Sequence, residues 1–125
     1  MPEQLSEHPD DTATDRAEIR KLFATEKASV VHCTLPPKAT SVATRLLKTD
    51  EVWYFVGGQG EIWLREEYEA EGREEKVSPG TCLTIPMGVH FQYRNIGEDS
   101  LTFLCVTMPA FESNEADISE VEAHW

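Results

Sequence analysis

Glu51 is the residue whose position most favours proton-transfer chemistry. It begins a β-branched and aromatic run, Glu51-Val-Trp-Tyr-Phe-Val56, that predicts a strand. Side chains alternate between the two faces of a strand, so Glu51, Trp53 and Phe55 share one face. A carboxyl group enclosed by aromatic rings loses hydration, which raises its pKa and suits a general acid or base. The alternative is that Glu51 pairs with a cation such as Arg45 and has only a structural role.

Histidine and cysteine side chains are the other groups that could bind a metal. His32 and Cys33 lie on one predicted strand and Cys82 and Cys105 on later ones, so a site assembled from them is conceivable. However, the 3 cysteines each lie within an apolar run, and no Cys-x-x-Cys pair suggests a zinc site. This pattern is typical of reduced core thiols in a cytoplasmic protein. We therefore expect three buried free cysteines.

Short strands and turn residues alternate along most of the chain. β-branched and aromatic runs are separated by Pro36-Pro37, by the glycines of 57–60, by Pro86-Met-Gly88 and by the segment 97–100. Turn signals every 8 to 12 residues predict an all-β sandwich or barrel. The predicted strands are 28–35, 42–47, 51–56, 61–65, 81–85, 90–95 and 101–108. The charged run 66–76 predicts a hairpin in solvent, with an exposed acidic helix as the alternative.

The length of 125 residues predicts a single domain with one hydrophobic core. We expect a loosely ordered acidic segment over residues 1–16, a barrel over 17–111 and an acidic tail over 112–125. Residues 17–22 could form a helical turn or a first strand. The tail could form a short helix or an extended segment at a sheet edge.

The charge balance excludes two classes of partner. The chain carries 11 Lys and Arg against 23 Asp and Glu, a net charge of −12, which repels nucleic acid and anionic lipid. We found neither a basic, apolar leader pattern at the start nor an apolar stretch of roughly 18 residues. We therefore expect a cytoplasmic protein that has no nucleic-acid partner and no membrane partner.

Two stretches of the chain resemble the paired motifs of the cupin superfamily. The first stretch keeps Glu51 and Gly58 at the spacing that ends the first motif. The second stretch keeps the glycine, proline and asparagine positions of the second motif, which are Gly80, Pro86, Gly88 and Asn95. The resemblance implies a small jelly-roll barrel, the double-stranded β-helix of that family, which holds ligands in its mouth.

The resemblance also implies where a metal ion would be bound. In metal-binding cupins, three histidines and a glutamate converge on iron, manganese, nickel, copper or zinc. Here the histidine positions hold other residues: Thr44 and Leu46, or Arg45 and Leu47 with a shorter spacer, and Phe91. His90 lies one residue before the third position, and a one-residue offset turns a strand side chain to the opposite face. We therefore expect no metal cofactor; the alternative is a displaced site that uses His90.

The expected function follows from a barrel whose histidine positions hold other residues. With Glu51 facing inward as the catalytic residue, the expected ligand-binding side chains are Thr44, Leu46, Trp53, Phe55, His90, Phe91 and Tyr93. The chain would bind a small molecule, with metal-independent isomerase, epimerase, cyclase or lyase chemistry. The alternatives are a non-catalytic ligand-binding or structural dimer module, and a metal-dependent dioxygenase or sugar isomerase with a displaced site. We also expect a homodimer, because exposed sheet edges need covering.

Overall fold

The β-branched and aromatic runs form strands in two antiparallel sheets. The computed structural model describes residues 2–110 and 117–125. The strands of these residues are β1 (Asp11–Thr12), β2 (Glu18–Ala24), β3 (Ser29–Leu35), β4 (Thr44–Leu46), β5 (Asp50–Gly57), β6 (Gly60–Arg65), β7 (Arg73–Val77), β8 (Cys82–Ile85), β9 (His90–Asn95), β10 (Leu101–Met108) and β11 (Ile118–Glu120). The first sheet has the order β1-β2-β3-β10-β5-β8, and the second has the order β11-β4-β9-β6-β7. The prediction of an all-β jelly-roll barrel is confirmed.

The charged run after β6 forms a hairpin and not an acidic helix. β6 and β7 pair antiparallel, with Gly60 opposite Val77 and Leu64 opposite Arg73. Ile62 and Leu64 of β6 are buried, whereas residues 73–76 of β7 are exposed. The hairpin thus carries its charges into solvent at the edge of the second sheet, as the charge pattern predicts.

Both ends of the chain contribute to the sheets. β1 pairs with β2, and β11 pairs with β4. Asp15, between β1 and β2, is buried, and Ile118 of β11 packs against the core. The folded barrel therefore extends beyond the expected range 17–111 on both sides, because these side chains close the space between the sheets. Residues 112–116 of the expected tail lie outside the described residues.

The cysteines differ in their exposure. Cys33 and Cys105 are buried free thiols, as the sequence predicts, but Cys82 is exposed. The prediction for Cys82 was wrong because β8 is the outer strand of its sheet and alternates in burial. Leu83 and Ile85 turn toward the core, so Cys82 and Thr84 turn toward solvent. No helix among residues 2–110 and 117–125 has the length and apolar character needed to cross a membrane.

Aromatic rings fill the interior between the two sheets. Trp53 of the first sheet stacks on Phe103 with ring centroids 4.3 Å apart, and it meets Tyr93 of the second sheet edge-on at 5.0 Å. Its ring also contacts Phe55 and Phe91. Such pairs contribute about 0.5–1.5 kcal/mol each beyond the burial of their surface. The rings therefore join the sheets and occupy the space in which a larger ligand would lie.

Two glycines at positive φ allow a test of the turns that frame the barrel. A Cβ on Gly58 (φ 84°) would lie 2.5 Å from the carbonyl oxygen of Ser100, whereas a Cβ on Gly80 (φ 96°) would meet nothing within 4 Å. We expect Gly80→Ala to lower the free energy of unfolding by about 1 kcal/mol, the cost of a left-handed alanine. Gly58→Ala should cost at least about 2 kcal/mol more, because the 100–101 backbone must move.

Urea unfolding of the two variants measures this difference. Gly80→Ala is the matched control, since it carries the same backbone strain without the contact. Equal losses of stability in the two variants would contradict the close approach of Gly58 to β10.

Candidate functional site

A small cavity between the two sheets contains the expected catalytic residue. Its volume is about 40 Å³, and its walls include Glu51, Leu46, Trp53 and Phe91. A water molecule occupies about 30 Å³ in the liquid, whereas small-molecule pockets usually measure about 300–1,000 Å³. The cavity, called the Glu51 cavity below, therefore has room for about one water and none for a sugar.

Glu51 is held in place by two donors from the first sheet. Its Oε1 accepts a hydrogen bond of 2.8 Å from Trp53 Nε1, and its Oε2 accepts one of 3.1 Å from the Thr107 hydroxyl. Thr107 reaches it because β5 and β10 pair with these two residues opposite each other. Burial raises the pKa of Glu51, and the charge of Asp15 adds to this rise, whereas the hydrogen bonds oppose it.

Asp15 is a second buried carboxyl group on the same cavity. Its Oδ2 accepts a hydrogen bond from the Tyr93 hydroxyl, and its Oδ1 accepts one from the backbone N–H of Ala17, both at 3.1 Å. Burial raises the pKa of Asp15. Burial and the neighbouring Asp15 raise the pKa of Tyr93 as well. Sequence analysis missed Asp15 because its local sequence indicates only a polar turn.

The family's three histidine positions lie inside the barrel, close to Glu51, but carry no histidine. Leu46 and Phe91 line the Glu51 cavity, and Thr44 lies opposite Phe91 in the β4–β9 pair. The Thr44 hydroxyl is buried and forms no hydrogen bond with the described residues. Within residues 2–110 and 117–125, no three His, Cys, Asp or Glu side chains could jointly hold a metal ion. At the family's four ligand positions, one carboxylate with a threonine, a leucine and a phenyl ring does not fit a divalent cation.

His90 lies on the other side of β9 from Phe91, as its one-residue offset predicts. Its Nδ1 is 2.9 Å from Arg65 Nη2, and its Nε2 is 3.1 Å from Glu67 Oε2. A guanidinium group can only donate, so Nδ1 accepts and Nε2 carries the proton that Glu67 binds. Arg45 contacts both carboxylate oxygens of Glu67, at 2.8 and 2.9 Å. Arg45 is therefore not the partner of Glu51, and the expected pairing of these two residues was wrong.

The expected site residues thus fall into three groups. Glu51, Leu46, Trp53 and Phe91 meet at the Glu51 cavity, together with the thiols of Cys33 and Cys105 and with Asp15 and Thr107, which sequence analysis did not include. Phe55, Tyr93 and Thr44 are buried in the surrounding interior, and His90 lies outside it. Asp15 and Thr107 reach Glu51 only through long-range strand pairing, which no local sequence signal reveals.

A wider cleft lies outside the barrel. It measures about 480 Å³ and is lined by Trp63, Arg65, Gly72 and His124 among others. The Trp63 and His124 rings stack with centroids 4.8 Å apart. None of the expected site residues lines this cleft, so a ligand there would have no contact with Glu51.

The raised pKa of Glu51 predicts how stability depends on pH. The folded protein binds the Glu51 proton more tightly than the unfolded chain, so this residue lowers stability as pH rises from about 4.5 through its folded pKa. Glu51→Gln removes that loss and keeps an acceptor for Trp53. We expect Glu51→Gln to be more stable than the wild type at pH 8, with a smaller advantage at pH 5.

Thermal unfolding from pH 4.5 to 8.5 checks this expectation. The control is Glu71→Gln at an exposed position, which should follow the wild-type pH dependence. The raised pKa of Asp15 also lowers stability as pH rises, and this effect is present in all three proteins. A Glu51→Gln variant that is less stable at pH 8 would mean that the charged carboxylate stabilises the barrel.

Comparisons with known proteins agree with this fold. An endoribonuclease YbeY of Myxococcus xanthus is 33% identical over 88 residues, which are 70% of this chain and 28% of that protein. The spore coat polysaccharide biosynthesis protein SpsL of Bacillus subtilis is 30% identical over 77 residues, 56% of this chain and 51% of that protein. This chain therefore spans about half or less of these curated relatives.

A solved structure shows the same architecture. The capsular polysaccharide assembling protein CapF of Staphylococcus aureus superposes with a TM-score of 0.79 and 21% identity, over 97% of this chain and 32% of that chain. At this identity the likeness concerns the fold. The family model of the cupin domain matches residues 31–107, which is more than half of the sequence. The motif positions, the two-sheet barrel and this match together show that the chain belongs to the cupin family.

Proposed function

We propose that this chain is a non-catalytic cupin module whose barrel is closed by its own side chains. The observation that carries the proposal is the size of the Glu51 cavity, about 40 Å³, at the place where the family positions its ligands. Phe91, which fills the third histidine position, is 1% exposed and packs edge-on against Trp53 at 5.5 Å. A module of this kind acts through its outer surface, as a structural unit of a larger assembly.

The comparisons support a modular role. This chain spans 28% of the YbeY relative and 32% of CapF, so a similar domain is there part of a longer protein. SpsL is named for spore coat polysaccharide biosynthesis, and CapF is named as a capsular polysaccharide assembling protein. We propose the same setting for this chain, with the barrel as an accessory domain of polysaccharide assembly.

Opening the barrel tests whether it is closed in solution. Phe91→Ala should lower the free energy of unfolding by about 3–5 kcal/mol and leave an apolar cavity. Such cavities bind benzene-sized molecules, so benzene or indole should raise the Tm of Phe91→Ala saturably and leave the wild-type Tm unchanged. Differential scanning fluorimetry measures both effects.

The matched control is Phe23→Ala, which truncates a ring that is 53% exposed. This variant should respond to the probes like the wild type. If Phe91→Ala does not fold, Phe91→Leu opens a smaller space with the same expected direction. Saturable stabilisation of the wild type by the probes would contradict a closed barrel.

Acid–base catalysis at Glu51 is the second candidate function. The observation in its favour is that two carboxyl groups, Glu51 and Asp15, line one cavity and both have raised pKa values. A proton donor or acceptor near neutral pH requires this kind of environment. A substrate of this reaction could reach Glu51 only after the Glu51 cavity had widened, because the cavity has room for about one water.

The test of this second candidate is turnover of small sugars and sugar acids. If the wild type isomerises or eliminates any of them, Glu51→Gln should reduce the rate at least about 100-fold, since general acid–base groups contribute that much or more. Glu71→Gln should keep the wild-type rate. A rate that is unchanged in Glu51→Gln would exclude Glu51 as the catalytic residue.

A further inference from the structure

The cleft outside the barrel is large enough to hold a small molecule. It measures about 480 Å³, and its lining residues come from β6, from the β6–β7 loop (66–72) and from the C-terminal segment (121–125). Ligand pockets usually measure about 300–1,000 Å³, so this cleft lies within the range and the Glu51 cavity lies far below it. A small molecule therefore fits in this cleft, called the Trp63 cleft below, and not inside the barrel.

The lining of the Trp63 cleft includes a hydrogen-bond donor without an acceptor. Trp63 is 7% exposed, and its Nε1 lies against Gly72, where an added Cβ would be 2.5 Å from that nitrogen. Among residues 2–110 and 117–125, no group accepts a hydrogen bond from the Trp63 N–H. The N–H of a buried tryptophan usually has a partner, and leaving it unpaired costs free energy. An oxygen atom of a molecule in the cleft can supply the missing acceptor.

Arg65 holds the loop that forms one wall of the Trp63 cleft. Its Nη1 donates to backbone carbonyls of the loop, at 2.6 Å for Glu69 and at 3.3 Å for Glu66 and Glu67. Its Nη2 donates to His90 Nδ1 at 2.9 Å, which anchors the same guanidinium group to β9. Contacts with three carbonyls fix the loop relative to β6. This wall is therefore in place before a ligand binds, which lowers the entropic cost of binding.

The C-terminal segment forms the opposite wall of the Trp63 cleft. The backbone N–H of Val121 donates to the Ala43 carbonyl, and that of His124 donates to Gln92 Oε1, both at 2.9 Å. The His124 ring lies parallel to the Trp63 ring, with an angle of 2° between the two planes. The His124 side chain is still 34% exposed, so it offers a flat surface to a molecule in the cleft. This wall too is fixed by contacts within the chain.

The polar groups of the Trp63 cleft are complementary to hydroxyl groups. The Trp63 N–H can only donate a hydrogen bond, whereas the carboxylate of Glu122 can only accept one. A hydroxyl group both donates and accepts, so one polyhydroxylated molecule can satisfy both residues. A carboxylate or phosphate ligand would be repelled by Glu122 and by the net charge of −12. An ammonium group has no lone pair for the Trp63 N–H. The complementary ligand is therefore uncharged and rich in hydroxyl groups.

We propose that the Trp63 cleft binds a neutral sugar unit of a glycan. One hydroxyl oxygen of the sugar accepts the hydrogen bond from Trp63, another hydroxyl donates to Glu122, and CH groups of the sugar ring pack on His124. A neutral glycan is also what an accessory domain of polysaccharide assembly would hold, so this site rests on the function proposed above. No residue that lines the Trp63 cleft lines the Glu51 cavity, so the two places can be tested separately.

The NMR signals of the indole N–H groups test the proposal. The chain has 3 tryptophans, so isotope-labelled protein gives three such signals, which Trp63→Phe and Trp125→Phe assign by difference. The probes are the methyl glycosides of glucose, galactose, mannose and N-acetylglucosamine at up to about 20 mM, which saturates a site with a Kd of about 1 mM. At least one probe should shift the Trp63 signal saturably. The Trp53 signal should not move, because that N–H is bound to Glu51 inside the barrel.

A variant that fills the Trp63 cleft provides a second readout. Ala70→Phe adds a ring to the lining of the cleft and should weaken binding of the active glycoside at least about 10-fold by calorimetry, because the ring takes the sugar's space. Ala24→Phe is the matched control, since it makes the same change at an exposed position of β2 and should keep the wild-type affinity. Ala123→Phe, also in the lining, replaces Ala70→Phe if circular dichroism shows that the latter does not fold.

Three results would overturn the proposal. The first is that no glycoside shifts the Trp63 signal; the closed barrel would stand, since the Phe91 variants test it separately. The second is an affinity that Ala70→Phe leaves unchanged while folded, or that Ala24→Phe lowers as much. The third is a shift of the Trp53 signal in place of the Trp63 signal, which would put the sugar inside the barrel and contradict the closed barrel as well.

Discussion

The packing of Trp53 is the constraint on which the rest of this barrel depends. Its ring contacts four other aromatic rings, two of them on β9 of the opposite sheet, and its N–H binds Glu51. In a metal-binding cupin, side chains from several strands are held together by one ion. Here Phe91 occupies one of those ligand positions, and ring packing joins the strands instead. Leu46 and Phe91, at positions that the motif spacing assigns to histidines, are buried and pack in the interior, so their side chains occupy space between the two sheets.

The two buried carboxyl groups need a physical reason in so apolar an interior. Each binds donors from distant parts of the chain: Glu51 joins Trp53 to Thr107, and Asp15 joins Tyr93 to the turn before β2. Removing these oxygens would leave the Trp53 and Tyr93 donors buried without partners, which costs about 1–3 kcal/mol each. Burial nevertheless opposes the charged form of both carboxyl groups, and the charge of Asp15 makes ionisation of Glu51 harder. The two carboxyl groups thus satisfy the buried hydrogen-bond donors, but their ionisation is unfavourable. This balance follows from the folded chain alone and does not require a bound substrate.

The sequence predicts the barrel better than it predicts the site. Alternation and turn residues locate the strands from Ser29 to Met108 closely, because both signals are local. The offset between His90 and Phe91 predicts which of them faces the interior for the same reason. The partners of Glu51 depend instead on pairing between segments that are far apart, since Thr107 lies 56 residues away and Asp15 precedes the first long strand. The exposure of Cys82 likewise follows from the place of β8 at the edge of the sheet, which its apolar neighbours do not reveal.

The two outer faces of the barrel are covered unequally. On the second sheet, the chain's own C-terminal residues pack over the strands: His124 stacks on Trp63, and the Trp125 ring lies 4.3 Å from the Arg94 guanidinium. The backbone N–H groups of both terminal residues also donate to Gln92 Oε1 at 2.9 Å. On the first sheet, the outward rings of Phe23 and Tyr54 are 53% and 46% exposed. A sheet face rich in valine and aromatic residues gains about 25 cal/mol per Å² when water is removed from it. The second face obtains part of this gain within the chain, because the rings of His124 and Trp125 pack on Trp63 and on the guanidinium of Arg94.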